Sequence, residues 1–296
     1  MICQTAYANL KVTMLDVGQG DAILIQTSTQ NVLVDTSDVD EREKLQRELY
    51  KLGAYRLDKI ILTHPHADHI GNCAWLIKNG VFKVKAIYDN GVISTSKNYL
   101  NYVAESERRN VPRQKLSDGD ILELGDGAKF EVIYPPAEMI DALNGLDIRS
   151  DSNNEGIVGI LTYGNFSMLF TGDAESVVEK DLMLRLSHCN VLKAGHHGSA
   201  TSSDIDFIKK IKPDYVLISA GQPNIKNGNV YGHPHVQSLM NYIAAGVDKN
   251  KIFWTYPNGS ITLETDGQNI EVKPTKNISW IDFYLLEKSG TININF

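Results

Sequence analysis

The chain has 296 residues, of which 42% are apolar and 22% charged, with a formal net charge of −7. That composition can bury a substantial core and is not that of a disordered chain. The acidic balance excludes a general electrostatic attraction to nucleic acid or to an anionic membrane, although a local basic patch is compatible with it. The three cysteines, Cys3, Cys73 and Cys189, are odd in number and widely spaced, which is no disulfide framework and reads as reduced thiols. The N-terminal stretch lacks a basic segment followed by a long apolar one, and no run approaches the roughly 18 apolar residues of a membrane span. The expectation is a cytoplasmic protein that makes no membrane contact.

Short strands are predicted at Lys11–Leu15 and Ala22–Gln26, separated by the turn Val17-Gly18-Gln19-Gly20-Asp21, with a third at Val32–Asp35 ending in a carboxylate. Asp40–Leu52 has helical spacing and Gly53 stops it. The buried strand Lys59–Leu62 runs into Thr63-His64-Pro65-His66, and Asp68–Lys78 follows as a helix. Then come a strand at Val84–Tyr88, a surface helix at Lys97–Arg109 and a β-pair at Ile121–Leu124 and Phe130–Tyr134. Glu138–Asn154 reads as a polar, irregular loop over the site. Ile157–Tyr163 and Ser167–Phe170 make a hairpin about Gly164-Asn165. The remainder alternates: helix Ala174–Leu186, strand Val191–Lys193, helix Ile205–Ile211, strand Tyr215–Ser219, helix Val236–Ala245. Strands at Ile252–Thr255, Ser260–Glu264 and Ile270–Val272 close the pattern.

Two similar halves that mix strands and helices suggest an α/β (α+β) architecture, two sheets sandwiched between helices. No low-complexity linker divides them. One domain over residues 1–275 is expected, with a tail over 276–296 that carries Trp280, Phe283 and Tyr284.

Seven of the eight histidines fall in three short clusters: Thr63-His64-Pro65-His66-Ala67-Asp68-His69, Gly195-His196-His197-Gly198-Ser199 and Tyr231-Gly232-His233-Pro234-His235. Imidazole nitrogen and carboxylate oxygen are the ligands that divalent zinc and manganese prefer. In an extended segment side chains alternate, so His64 and His66 lie on one side and can clamp one ion. Asp68 and His69 open the next helix and can serve a second. Four polar groups in six residues, directly after Ile60-Ile61-Leu62, would be costly to bury without such a partner. Asp173 and His196 each follow an apolar strand and arrive at its C-terminal edge. Asp173 is placed to be a ligand shared by two ions, about 3.5–4 Å apart in two-metal hydrolases. A lone Asp173 would more often be a helix N-cap, since Ala174-Glu175 open a helix.

Together with Asp35 in Leu33-Val34-Asp35-Thr36 and with Thr171-Gly172-Asp173, these motifs resemble those of the metallo-β-lactamase superfamily. Leu15-Asp16-Val17-Gly18-Gln19-Gly20-Asp21-Ala22, Leu192-Lys193-Ala194-Gly195-His196-His197-Gly198-Ser199, Tyr231-Gly232-His233-Pro234 and Tyr256-Pro257-Asn258-Gly259-Ser260-Ile261 narrow the resemblance to the hydrolase domain of ComEC-type competence proteins, over about Leu10 to Val272. The resemblance implies a four-layer αββα sandwich, a two-metal site with zinc or manganese, and hydrolysis, often of phosphodiesters. It implies His64, His66 and Asp173 on one ion and Asp68, His69, Asp173 and His196 on the other, with a hydroxide held between them attacking phosphorus. Asp35 becomes the group that orients a histidine. Asp16 and Asp21 brace the same loop or simply make the turn.

Two departures stand out. The membrane channel of ComEC-type proteins has no counterpart, so a free-standing hydrolase domain is expected, without DNA uptake. The superfamily's histidine between the second and fourth motifs is also missing, and Asp151 or Asn154 would stand in as an oxygen ligand, favouring manganese. Lys193, His197, Ser199 and His233 are candidates for contact with substrate, His233 as a proton donor to the leaving oxygen and Gly198-Ser199 through backbone amides. The substrate is expected to be a phosphodiester, nucleic acid or small molecule. The rival readings are hydrolysis of a carbonyl ester, lactone, thioester or amide, and a metal-stabilised binding module without catalysis.

Overall fold

The computed structural model describes residues 10–146, 152–223 and 229–282. Its strands are β1 (Leu10–Met14), β2 (Ile23–Gln26), β3 (Asn31–Val34), β4 (Arg56–Leu57), β5 (Lys59–Leu62), β6 (Lys83–Val84), β7 (Ile87–Asp89), β8 (Arg113–Lys115), β9 (Ile121–Gly125), β10 (Ala128–Tyr134), β11 (Val158–Tyr163), β12 (Phe166–Phe170), β13 (Val191–Lys193), β14 (Tyr215–Ile218), β15 (Ile252–Trp254), β16 (Ile261–Thr265) and β17 (Ile270–Pro274). One sheet runs β17-β16-β1-β2-β3-β5-β7-β8 and the other β15-β14-β13-β12-β11-β10-β9, while β4 and β6 form a small ladder of their own. The helices are α1 (Arg42–Lys51), α2 (Ala67–Ile70), α3 (Cys73–Lys78), α4 (Lys97–Arg109), α5 (Ala137–Leu146), α6 (Ser176–Leu182), α7 (Ile205–Ile211), α8 (Val236–Ala244) and α9 (Thr255–Asn258).

Period-two patterning builds the layers. Val12, Met14, Ile23, Ile25, Val32, Val34 and Ile61 face inward and meet Phe130, Val132, Met168, Phe170 and Leu217 of the second sheet. Their sequence neighbours Leu24, Leu33, Ile60 and Leu62 point the other way, onto Leu45 and Leu49 of α1, Leu76 of α3 and Tyr102 of α4. Across the molecule Leu169, Leu192, Val216 and Ile218 turn outward onto Val178 of α6, Phe207 and Ile211 of α7, and Leu239 and Tyr242 of α8. Three apolar cores separated by two sheets are the αββα sandwich.

Two differences from the sequence reading concern local structure. The stretch 138–154 is not irregular from its start: its first part lies in α5, where Ile140 is buried against the body and Ala137, Met139, Ala142, Leu143 and Leu146 favour helix. The helix expected at 68–78 is split into α2 and α3 at Asn72, whose backbone is non-helical (φ −101°, ψ 3°) and whose side-chain amide donates to the Thr36 and Asp38 carbonyls at 3.1 and 2.6 Å. In the tail, Trp280 is buried and donates to the Lys249 carbonyl at 2.9 Å. Phe283 and Tyr284 lie outside the described residues. Cys73 and Cys189 are free and buried. Among the described residues no helix is long and apolar enough to cross a membrane.

The parallel neighbours β3, β5 and β7 in one sheet, and β12, β13, β14 and β15 in the other, set their C-terminal ends at one edge of the sandwich. Asp35, Thr63, Asp173, Ala194 and Ser219 directly follow those ends or lie within a few residues of them, so the loops that carry polar residues converge there.

Candidate metal centre

The segment after β5 places His64 and His69 side by side, ring centroids 4.1 Å apart, both fully buried. Thr63 organises them. Its N–H and hydroxyl both donate to Asp35, each at 2.8 Å. The Thr63 oxygen is then free to accept from His64 Nδ1 at 3.1 Å, which turns His64 Nε2 to within 3.1 Å of His66 Nδ1. Asp35 also accepts from His69 Nδ1 at 2.8 Å, which leaves Nε2 as the nitrogen aimed into the site. That Nε2 has no hydrogen-bond partner and lies 3.2 Å from Asp173 Oδ2.

His197 repeats the arrangement from the other sheet. Its Nδ1 donates to the Ser219 carbonyl at 2.9 Å, and its Nε2 faces Asp68 Oδ2 at 3.2 Å and Asp173 Oδ2 at 3.4 Å. One ligand atom from each of Asp68, His69, Asp173 and His197 lies within 4.8 Å of the others. His64 Nε2 stands 3.9 Å from Asp173 Oδ2, so Asp173 touches both histidine pairs.

The two histidines of Gly195-His196-His197-Gly198 both have left-handed backbones, φ +45° and +53°, which splay neighbouring rings apart. His196 is partly exposed, sets Nδ1 3.4 Å from Glu175 Oε1 and 3.2 Å from the Thr201 hydroxyl, and keeps Nε2 at 3.9 Å from Asp173. The quartet therefore contains His197, which sequence reading assigned to substrate, whereas His196, assigned to the ion, sits at its rim. Parity along a strand does not extend into such a turn.

Lys193 does not line the cleft. It is buried, lies 2.5 Å from Asp21 Oδ2 and 3.6 Å from Asp173 Oδ1, and donates to the Gly172 carbonyl at 2.7 Å. Burial alone would raise the Asp21 carboxyl, but Lys193 and His197 bring it down to about 2. For Asp68, too, burial is outweighed by His69 and His197, which hold its carboxyl far below the ordinary range. Burial would lower His69 and His197, yet Asp173 first among their neighbours pulls both well above the ordinary imidazole value. His64 is pushed well below it by burial and by His69. Asp16 points elsewhere: its N–H donates to Ser260, and burial raises its carboxyl.

Asp21, Asp35 and Asp173 are each 1% exposed, and Asp68 sits at the cleft surface beside them. Carboxylates and imidazoles converging within 4.8 Å, with His69 Nε2 and Asp173 Oδ1 buried and without hydrogen-bond partners, are the donor set that a divalent cation takes. The residues fit one.

The site opens on a cleft of about 850 Å³, lined by His66, Asp68, Asp173, His196, His197, Ser199 and His233 as well as by Gln19, Asn153 and Tyr231. Burial and the rings of His197, His196 and His235 hold His233 down at about 3, so its imidazole enters the cleft neutral. The Ser199 amide already donates to the His196 carbonyl at 2.8 Å. Asp151 lies outside the described residues. Asn154 is turned away: its side-chain oxygen accepts the Glu175 N–H at 3.1 Å and its amide donates to Glu175 Oε2 at 3.2 Å. Asn153 instead reaches the cleft. Sequence reasoning gave no role to Asn153, Gln19 and Thr63, since none of the three side chains is itself of metal-ligand type, although Thr63 and Gln19 stand inside motifs it singled out.

The metallo-beta-lactamase superfamily model matches residues 15–222. ComE operon protein 3 of Bacillus subtilis is 32% identical over 250 residues, 78% of this chain and 30% of that protein. Competence protein ComA of Neisseria gonorrhoeae is 27% identical over 238 residues, 79% of this chain and 29% of that protein. The chain thus spans less than a third of these relatives. Among solved structures, the metallo-beta-lactamase fold protein YhfI from Bacillus subtilis superposes with a TM-score of 0.56 at 12% identity, covering 87% of this chain and all of that one. CmlA, a diiron beta-hydroxylase from Streptomyces venezuelae, reaches 0.56 at 14% identity over 88% of this chain and 55% of its own. Motifs, layer order and the buried His/Asp cluster agree with these likenesses: the chain belongs to the metallo-beta-lactamase superfamily and is related to ComEC-type competence proteins.

Proposed function

We propose that the chain is a phosphodiesterase that works with two divalent ions, zinc or manganese. The observation that carries this reading is the convergence of two donor groups on Asp173 at the floor of one open cleft. His64, His66 and Asp173 would hold one ion, in a cleft that Asn153 also lines. Asp68, His69, His197 and Asp173 would hold the other. Such ions, when bound, bring the pKa of water near neutrality and neutralise charge on phosphoryl oxygens.

The chain's own groups do the positioning. Asp35 fixes the His69 tautomer through Nδ1, and the Ser219 carbonyl fixes that of His197. Lys193 holds Asp21 and Asp173 in place from behind the site. His196, Ser199 and His233 line the cleft from the substrate side, with His233 as a neutral hydrogen-bonding ring. The relationship to ComEC-type proteins favours phosphorus as the centre attacked. A carbonyl substrate is the second reading, because hydroxyacylglutathione hydrolase of Rhodopseudomonas palustris is 26% identical over 200 residues, 67% of this chain and 70% of that protein.

Elemental analysis of the purified chain, with turnover of bis-p-nitrophenyl phosphate in added manganese or zinc, tests the proposal. Two metal equivalents and turnover that Asp68→Ala abolishes are expected. Bound metal without phosphodiester turnover would transfer the assignment to thioesters and lactones. Neither metal nor turnover after reconstitution would leave a binding module.

A further inference from the structure

Gln19 stands in the cleft with nothing to bind. Its side chain is buried, the residue being 8% exposed, and both carboxamide atoms, Oε1 and Nε2, lack a hydrogen-bond partner. A buried amide with neither end satisfied is unfavourable, and such groups in native folds call for a ligand or a functional role. Its loop is held firmly. The Asp21 N–H donates to the Asp68 carbonyl at 3.0 Å, and the Ser219 hydroxyl donates to the Gly20 carbonyl at 2.7 Å. The Gln19 amide nitrogen lies 2.9 Å from where a side chain on Gly221 would begin, so only glycine there lets the loop seat. The carboxamide is therefore a preset pair, one donor beside one acceptor, next to the metal ligand Asp68.

The same cleft carries an aromatic shelf. Tyr231 is 67% exposed and lies nearly parallel to His233, centroids 5.7 Å apart at 20°, while His235 Nε2 meets the Tyr231 carbonyl at 3.0 Å. His233, 4% exposed, adds Nδ1 as a further buried polar atom without a partner. Asp38, Asp40 and Glu41 make up a further part of the lining. Glu41 is paired with Lys44 at 2.7 Å, and the carboxylates of Asp38 and Asp40 repel a long phosphate backbone but not an uncharged ring. A flat ring with a donor beside an acceptor on its edge matches both features: bidentate pairing to a carboxamide and stacking on a tyrosine.

We propose that Gln19 is a specificity residue that hydrogen-bonds the base of a single nucleoside end of the phosphodiester, with Tyr231 stacking on that base. This rests on the phosphodiesterase reading and narrows it from nucleic acid strands to mononucleotide esters.

Calorimetry on the metal-loaded full chain tests it with two probes, thymidine 5′-monophosphate and phenyl phosphate. Wild type is expected to prefer the nucleotide by about tenfold or more, the worth of a bidentate base contact. Gln19→Met, close in shape and without unpaired polar atoms, is expected to reduce that ratio to within about threefold without lowering the melting temperature. Tyr231→Ala is expected to shrink the ratio as well, through the loss of stacking. Equal affinity of wild type for both probes, or an unchanged ratio in Gln19→Met, would overturn the assignment. Tighter binding of oligothymidylates in proportion to their length would overturn the restriction to single ends. Because binding is read without turnover, a nucleotide preference that depends on Gln19 in a protein inert toward bis-p-nitrophenyl phosphate would separate failure of the catalytic reading from failure of this one.

Discussion

His197 Nε2 lies 3.2 Å from Asp68 Oδ2 across 129 positions of sequence, while His196, its chain neighbour, turns Nδ1 toward Glu175 at 3.4 Å. The two rings therefore have different duties. If His197 holds the second ion as proposed, His197→Ala is expected to weaken that ion by about 100-fold or more, since it would remove a ligand rather than a group that orients one. His196→Ala is expected to keep both equivalents. Elemental analysis after dialysis against a graded chelator series checks this, and loss of metal in His196→Ala alone would reverse the assignment.

The Lys193–Asp21 pair is sealed beneath the site. Removing one member leaves the other charged and buried, so Lys193→Met is expected to cost about 3–5 kcal/mol. The double variant Lys193→Met/Asp21→Asn is expected to recover part of the loss, because no uncompensated charge remains. Urea unfolding of the three proteins measures it. If the single and double variants lose equal stability, the pair is not coupled.

Gly20 has φ +121°, and a side chain there would begin 2.4 Å from the Asp68 carbonyl oxygen. Gly20→Ala is expected to displace the Asp68 backbone, costing about 1–3 kcal/mol and weakening metal binding. Gly53→Ala is a control. Its φ is also positive, but open space surrounds it, so it should lose stability with no change in metal affinity.

Glu179 of α6 accepts the Ser203 and Asp204 N–H groups at 2.7 and 2.8 Å, and burial pushes its carboxyl up to about 7 from an ordinary 4.5. The folded state thus holds the proton more tightly than the unfolded chain. The resulting stabilisation is complete below pH 4.5 and is lost as pH rises through 7. Glu179→Gln, which resembles the protonated form, is expected to flatten that decline, the two stabilities diverging by up to about 3 kcal/mol across the window. Urea midpoints between those pH limits check the slope. A constant offset at every pH would mean that only a hydrogen bond had been changed.

The amino-acid sequence by itself determined what is local or periodic. Short apolar runs marked β5 and β13, and helical spacing marked α4 and α7, at their observed limits, because strands between two layers bury both faces and helices bury one. The run from His64 to His69 pointed to a metal site because its four ligand-type side chains lie within six residues, although Asp35, from a different strand end, sets how His69 is turned. Tertiary structure decided what depends on distant partners. Which of His196 and His197 faces inward is set by the Ser219 carbonyl and Asp21, from a strand and a loop far away in sequence. Whether Lys193 reaches substrate or an internal carboxylate depends on the Asp21 loop docking behind β13. Gln19 lies within the opening motif of the family resemblance, but neither its side chain nor that of Asn153 is of ligand type, and neither marks a site by itself. They become cleft residues only because two sheets, packed face to face, bring the ends of their parallel strands together at one edge.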